Sequence, residues 1–246
     1  MGNERLRSAL VRSGRDAGDV AQAVRVDRKT VERWLSGRSP HPRHRRALAE
    51  LLGHEEGFLW PQSVDEARLQ LSARAELVTL YPHRAAVPNE LWLDLLAKAS
   101  RRIEILAYAA LFLPELDPRI VADLAAKAEA GAVVRIALGD ACSAAIRLRG
   151  EEEGIGTGMG ARVTMTLGHL EPLLGCPGVD LHVHDTTLYN SIFRFDDDML
   201  VNAHLYGAKA YQNPVLHLRQ VEGGSLFDDY ADSFDRVWAL SKAYTR

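Results

Sequence analysis

Four groups of residues in this 246-residue chain have types and spacings suited to chemistry. The first is basic. Arg28, Lys29, Thr30 and Arg33 fall on one outward stripe of a helix, and Arg38, Arg43, His44 and Arg45 follow shortly after. Guanidinium groups bond guanine bidentately or grip phosphates, and a threonine hydroxyl reaches either. The second group is polar, each member standing at or near the end of an apolar run: Tyr108, Asp140, Asn190, Asn202, His204 and Tyr206. Donors and acceptors beyond strand ends suit a small-molecule pocket, and Arg135, Arg147 and Arg149 would supply charge to an anionic ligand. The third, His182-x-His184-Asp185, could set two imidazoles on one strand face, but no third ligand stands at readable spacing, so no metal is expected. The fourth, Gly154-x-Gly156-x-Gly158-x-Gly160, follows Glu151-Glu152-Glu153 rather than a strand. It reads as a mobile loop, not a dinucleotide fingerprint, and no cofactor is expected.

The elements that position the basic group can be read from capping and periodicity. One helix runs from about Glu4 to Val11, and a second from Asp19 to Val24 with Asp16 or Asp19 as cap. A third starts after Asp27 and stops at Gly37. In it Val31, Trp34 and Leu35 make one apolar face, while Val26 plugs the core from the preceding turn. A fourth begins near Pro42 and carries Arg43, His44, Arg45 and Arg46 in its first turn, with Leu48, Leu51 and Leu52 buried. Cations there oppose the helix dipole unless a phosphate is bound. This layout predicts an all-α helix-turn-helix domain over residues 1–61 whose third helix enters the major groove. Residues 1–60 carry a net charge of +4 and the rest −7, as expected if only the first part meets a polyanion.

The stretch from Val20 to Gly37 resembles the XRE, or Cro/phage-repressor, helix-turn-helix family. With Arg38-Ser39-Pro40-His41-Pro42-Arg43 and the later Leu59-Trp60-Pro61, it is similar to regulators of that kind from high-GC actinobacteria. The resemblance covers about residues 4–60. It implies Gln22 against phosphate, Thr30 and Arg33 near bases, and double-stranded DNA with a palindromic operator as partner.

Residues 62–87 read as a connecting helix and linker, with Leu69, Leu71 and Leu77 as candidates for a dimer contact. Tyr81-Pro82-His83-Arg84 reads as a turn, placed where it could gate a pocket. Over 88–246 helices alternate with strands at Ile103–Tyr108, Ala132–Leu138, Val179–His184, Tyr189–Phe195, Met199–Leu205 and Val215–Val221. Asp196-Asp197-Asp198 is a hairpin turn, and the closing helix runs from Ser225 with Lys242 near its end. The β-α-β start predicts an α/β domain, a mixed sheet flanked by helices.

That order, sharpest from Tyr189 to His204, resembles one half of a phospholipase D-like domain. The resemblance places Asn190 at the nucleophilic His, Ile192 at the Lys, Asp197 at the Asp, and Asn202 and His204 in the Ser and Asn region. Asparagine cannot form a phosphohistidine and isoleucine donates no hydrogen bond. The domain is therefore expected to be non-enzymatic, to dimerise, since one half stands where two normally face each other, and to sense a small-molecule effector. No apolar run reaches the roughly 18 residues of a membrane span, no signal peptide is evident, and the two cysteines, Cys142 and Cys176, form no framework. A cytoplasmic homodimer, without membrane contact and acting as a sequence-specific transcriptional regulator, is the expectation. The alternative is a phosphodiesterase or nuclease directed to DNA.

Overall fold

The computed structural model describes residues 2–61 and 72–245, in two compact units, Met1–Leu71 and Ser72–Arg246. Most of the expected connecting helix, with Leu69 and Leu71, lies outside the described residues; 72–76 are helical.

The first unit consists of α1 (Glu4–Ser13), α2 (Ala17–Ala23), α3 (Arg28–Leu35), α4 (Pro42–Leu52) and the short α5 (Glu56–Leu59). Asp16 and Asp19 cap α2 reciprocally, each side chain accepting from the other's backbone N–H. Asn3 caps α1 by accepting from the Leu6 N–H at 2.9 Å, and its amide donates to the Leu59 carbonyl at 2.8 Å, which fastens α5 to the start of the domain. Leu6, Val20, Val31, Trp34, Leu48 and Leu59 form the core. Between α2 and α3 the chain turns at Arg25, whose φ of 55° is left-handed and unusual for a residue with a Cβ.

The second unit is built on one eight-stranded sheet, ordered β1-β7-β6-β5-β2-β3-β4-β8. Its strands are β1 (Leu77–Tyr81), β2 (Arg102–Ala107), β3 (Val133–Gly139), β4 (Val179–His184), β5 (Asn190–Phe195), β6 (Asp198–Ala203), β7 (Val215–Arg219) and β8 (Lys242–Ala243). β2 and β3 run parallel, in keeping with the β-α-β start, β4 continues parallel beside β3, and the remaining pairings are antiparallel. The helices are α6 (Asn89–Lys98), α7 (Phe112–Leu116), α8 (Ile120–Glu129), α9 (Ala144–Glu152), α10 (Gly158–Leu170) and α11 (Leu226–Leu240). The mixed sheet with flanking helices is as expected.

Side-chain alternation assigns the two faces. Ile105, Ile136, Leu138 and Phe193 meet α6, α8 and α10, with the Trp92 ring edge-on to Phe193 at 5.1 Å. On the opposite face Arg135 lies over Phe234 and Trp238 of α11, and Arg194 over Phe227. Between those arginines sits Glu104 of β2, 1% exposed, in register with Arg135 on one side and Arg194 on the other. It accepts from Arg135, from Arg194 at 3.3 Å and from Arg102 at 3.1 Å.

Three expectations are corrected. Residues 77–81, read as linker, form the edge strand β1 against β7, and the buried Glu76 just before them accepts the N–H groups of Ser225, Leu226 and Phe227 at the start of α11. Lys242 is not in the closing helix but in β8, because Tyr244 N–H and the Lys242–Ala243 pairing dock that segment on β4. The glycine run is no free loop: Gly158 and Gly160 lie within α10, and a Cβ on Gly160 would stand 2.8 Å from the Ala141 carbonyl oxygen. On Gly150 it would collide with the backbone of Gly156. Glycine is needed there for close approach.

Glu104→Gln should destabilise the second unit by about 3–5 kcal/mol, because it leaves half-buried guanidinium groups uncompensated. Arg102→Ala, which removes the most exposed partner, should cost under about 1 kcal/mol. Urea unfolding followed by tryptophan fluorescence measures both, and equal losses would contradict the central role of the carboxylate.

Candidate functional site

The basic residues occupy one side of the first unit. Arg28, Lys29 and Arg33 are exposed on α3 with Thr30 half-buried beside them, and Gln22 is exposed on α2. Thr30, Arg33, Arg38, His41 and His44 line one surface depression. Arg28 is shared with Glu32 through an exposed i,i+4 pair at 3.2 Å, which is weak. His44 packs on Trp34 with ring centroids 5.7 Å apart, and its pKa is lowered by burial first, then by Arg43 and His41. Arg45 departs from expectation more sharply. Its guanidinium turns inward to pair with Glu56 and to donate to the Pro40 carbonyl at 3.2 Å, so it joins α4 to α5 instead of facing solvent. Arg43 and Arg46 are the exposed cations of that turn.

The second unit contains a cavity of about 250 Å³. Of the six polar candidates, Tyr108, Asn202 and His204 line it; Asp140, Asn190 and Tyr206 do not. Asp140 is exposed and caps the turn at Cys142, and Tyr206 is 86% exposed. Asn190 falls on the wrong side of the pleat. It shares the alternation of Ile192 and Arg194, which lies under α11, whereas Ser191 and Phe193 face the cavity. The resemblance had set the nucleophile and lysine positions at Asn190 and Ile192; a one-residue shift in register moves them to the opposite face.

The polar end of the cavity is closely tied. Ser191 opposes Asn202 across the β5–β6 pair, and its Oγ lies 3.0 Å from His204 Nε2. His204 Nδ1 is 3.2 Å from the Leu188 carbonyl, so Nδ1 carries the proton and Nε2 accepts the serine hydroxyl. Tyr108 stacks on the imidazole at 5.2 Å, accepts the Leu188 N–H and donates to the Leu188 carbonyl. Burial, helped by the Arg149 cation, pulls the His204 pKa down to about 4, and burial raises that of Tyr108. A serine hydroxyl on an imidazole is the geometry of a nucleophile and its base. Here a backbone carbonyl, not a carboxylate, orients the ring, and a pKa near 4 makes it a weak proton acceptor at neutral pH. The Asn202 amide donates to the Asn213 and Pro214 carbonyls.

The arginines expected to supply charge are committed elsewhere: Arg135 to Glu104 and Asp235, Arg147 to the Cys142 carbonyl, and Arg149 to Glu152, Glu153 and the Ala208 carbonyl. The cavity's cations are Arg84 and Arg162. Arg84 belongs to the Tyr81–Arg84 turn noted in the sequence, but nothing in its spacing marks it, and Ser191 is hidden among alternating apolar residues. Among the described residues no group of three or more His, Cys, Asp or Glu could hold a metal. His182 instead stacks on Trp238 and His184 bonds the Ala107 carbonyl.

A helical unit with a basic face and an α/β unit with a partly open cavity of mixed polar and apolar lining thus define the class. Residues 1–58 match the SP15 N-terminal domain. Residues 74–245 match DUF5919, a domain of unknown function, and the chain belongs to that family. No curated protein matches the chain. Among solved structures it is similar to TrmBL2, an archaeal chromatin protein described as showing a novel mode of DNA binding, at 13% identity over 84% of this chain and 72% of that one, TM-score 0.45. Nuc, a phospholipase D family member from Salmonella typhimurium, matches at 15% identity over 64% of this chain and 90% of its own, TM-score 0.36. Phosphatidylserine synthase from Haemophilus influenzae Rd KW20 matches at 14% identity over 84% of this chain and 48% of its own, about half its length, TM-score 0.45. Among the described residues no helix is long and apolar enough to cross a membrane.

The depressed pKa of His204 makes stability pH-dependent. An unfolded histidine titrates near 6.5, so between that pH and about 4 the unfolded chain takes up a proton that the folded one refuses. Stability is unaffected above pH 7 and falls as pH drops through this window, by on the order of 2–4 kcal/mol from this residue. Unfolding curves from pH 7.5 to 4 should show a steeper loss for wild type than for His204→Gln. Parallel losses would mean that the ring titrates normally.

Proposed function

We propose that this protein is a sequence-specific, double-stranded-DNA-binding transcriptional regulator of XRE type, whose second unit dimerises and senses a small molecule. The observation that carries the reading is the outward face of α3, where exposed Arg28, Lys29 and Arg33 flank half-buried Thr30 beside exposed Gln22, Arg38 and Arg43. A helix of that composition, set on a partner helix through a tight turn, is suited to the major groove, with Arg33 and Thr30 toward base edges and Arg43 and Gln22 toward phosphates. Two observations support the sensor role over catalysis: the cavity-facing positions on β5 are Ser191 and Phe193, and the histidine beside them is a weak base. The homodimer is supported by β1, an edge strand that leaves Val78 and Leu80 43% and 57% exposed.

Arg33→Ala or Thr30→Ala should weaken binding to the selected operator by about 1–3 kcal/mol and spare non-specific binding. Arg43→Ala should weaken both and reduce the salt slope by about 1. Arg45→Ala should lower the stability of the first unit instead. Operator selection followed by binding titrations across salt concentrations separates the three, and identical behaviour of Arg33→Ala and Arg43→Ala would refute the division of roles.

Sedimentation velocity of the full chain at micromolar concentration should give twice the monomer mass. Footprints should then cover two half-sites roughly 10 bp apart or a multiple of that. A monomer with a single half-site would remove the dimer.

A further inference from the structure

Among the described residues Arg84 is a largely buried cation of the second unit with no hydrogen-bonding or charged partner for its guanidinium. It sits in the turn after β1, held by its own N–H to the Asn213 carbonyl at 2.8 Å. Its side chain lines the cavity, and its guanidinium carbon is 3.9 Å from the centroid of the Phe112 ring. Among the described residues the guanidinium has no hydrogen bond and no ion pair, and Nε is buried unsatisfied. Burial lowers its pKa to about 10, more than Glu153 and Glu115 restore. Glu153 acts on Arg84 only through space: its Oε1 pairs with Arg149, itself 3% exposed, at 2.8 Å, and its Oε2 makes no hydrogen bond. Arg162, exposed on α10, adds a second cation to the lining.

A guanidinium stacked by its face on an aromatic ring keeps its edge N–H groups for in-plane, bidentate bonds to an oxyanion. The rest of the lining is suited to what such a group would carry. Phe112, Phe193 and Met159 are apolar, neutral Ser191 and His204 close the far side, and of the two carboxylates in the lining Glu115 is exposed and Glu153 is paired with Arg149. At about 250 Å³ the cavity is smaller than the roughly 300–1,000 Å³ of sites for drug-sized ligands.

We propose that the cavity binds a small organic oxyanion, its carboxylate or phosphate held by Arg84 with help from Arg162 and its apolar body against Phe112, Phe193 and Met159. This rests on the sensor reading of the second unit and names the class of ligand sensed. An unpartnered, desolvated cation is unfavourable in the empty protein, and an incoming anion supplies the missing partner.

The test uses the full chain at fixed ionic strength, with benzoate, phenyl phosphate, benzamide and benzamidine as probes in calorimetric titration and thermal unfolding. At least one anion should bind and raise Tm, while neutral benzamide and cationic benzamidine should not. Benzoate alone would identify a carboxylate site, phenyl phosphate alone a phosphate site. Arg84→Met should weaken the anion at least tenfold without lowering the Tm of the empty protein. Arg84→Lys, which retains a point charge and folds even if the methionine variant does not, should weaken it less than that, and Arg162→Gln should weaken it severalfold. The double variant Arg33→Ala, Arg43→Ala should bind the anion as wild type does, which excludes the basic face of the first unit. Equal binding of benzamide or benzamidine, wild-type binding by Arg84→Lys and Arg162→Gln together, or no binding of either anion would overturn the proposal. An anion that binds in this pattern yet leaves operator affinity unchanged would overturn the sensor reading alone.

Discussion

The architecture of the second unit depends on one buried carboxylate. Glu104 stands at the middle of the sheet, where an unpaired charge would be prohibitive, and is held there by arginines from three strands, its own β2, β3 and β5. Arg135 and Arg194 are in turn covered by the aromatic face of α11. The cluster fixes which residues of β2, β3 and β5 face α11, and strict alternation then hands the remaining ones to the other side. Ser191 and Phe193 reach the cavity because Arg194 is required beneath the helix. A polar device on one face thereby sets the register of the cavity lining on the other.

This explains what could be read from the sequence and what could not. The helices of the first unit were legible because their signals are local: Asp16 and Asp19 at a cap, Val31, Trp34 and Leu35 on one stripe, Gly37 at a stop. Six of the eight strands were legible from apolar runs and turn residues. β1 was missed because its residues pair with β7, more than a hundred positions away, and because an edge strand with exposed Leu77, Val78 and Leu80 lacks a clear inward-outward pattern.

The candidate site was legible only in part for the same reason. Tyr108, Asn202 and His204 could be chosen because they end strands. Asn190 was chosen by the same rule, and the rule has no knowledge of parity; only the partners of Arg194 decide it. Arg84 and Arg149 show the complementary limit. The i,i+4 spacing of Arg149 and Glu153 is a local sign of the pair they form, whereas nothing local marks Arg84 as the arginine without an ion pair among the described residues. Arg45 makes the point in the first unit, where a neighbour on α5 turned an apparent phosphate contact into a brace.

Glu76 has a consequence for synthesis. The helices of the first unit close on partners a few tens of residues away and can fold as soon as they leave the ribosome. The carboxylate that closes the start of α11 is made early, but the N–H groups it accepts from are made 149 to 151 residues later. Until they emerge, an unpaired β1 and its apolar side chains wait in solution. The second unit therefore completes itself only once the start of α11 has emerged, and a nascent chain displays its first unit well before its cavity exists.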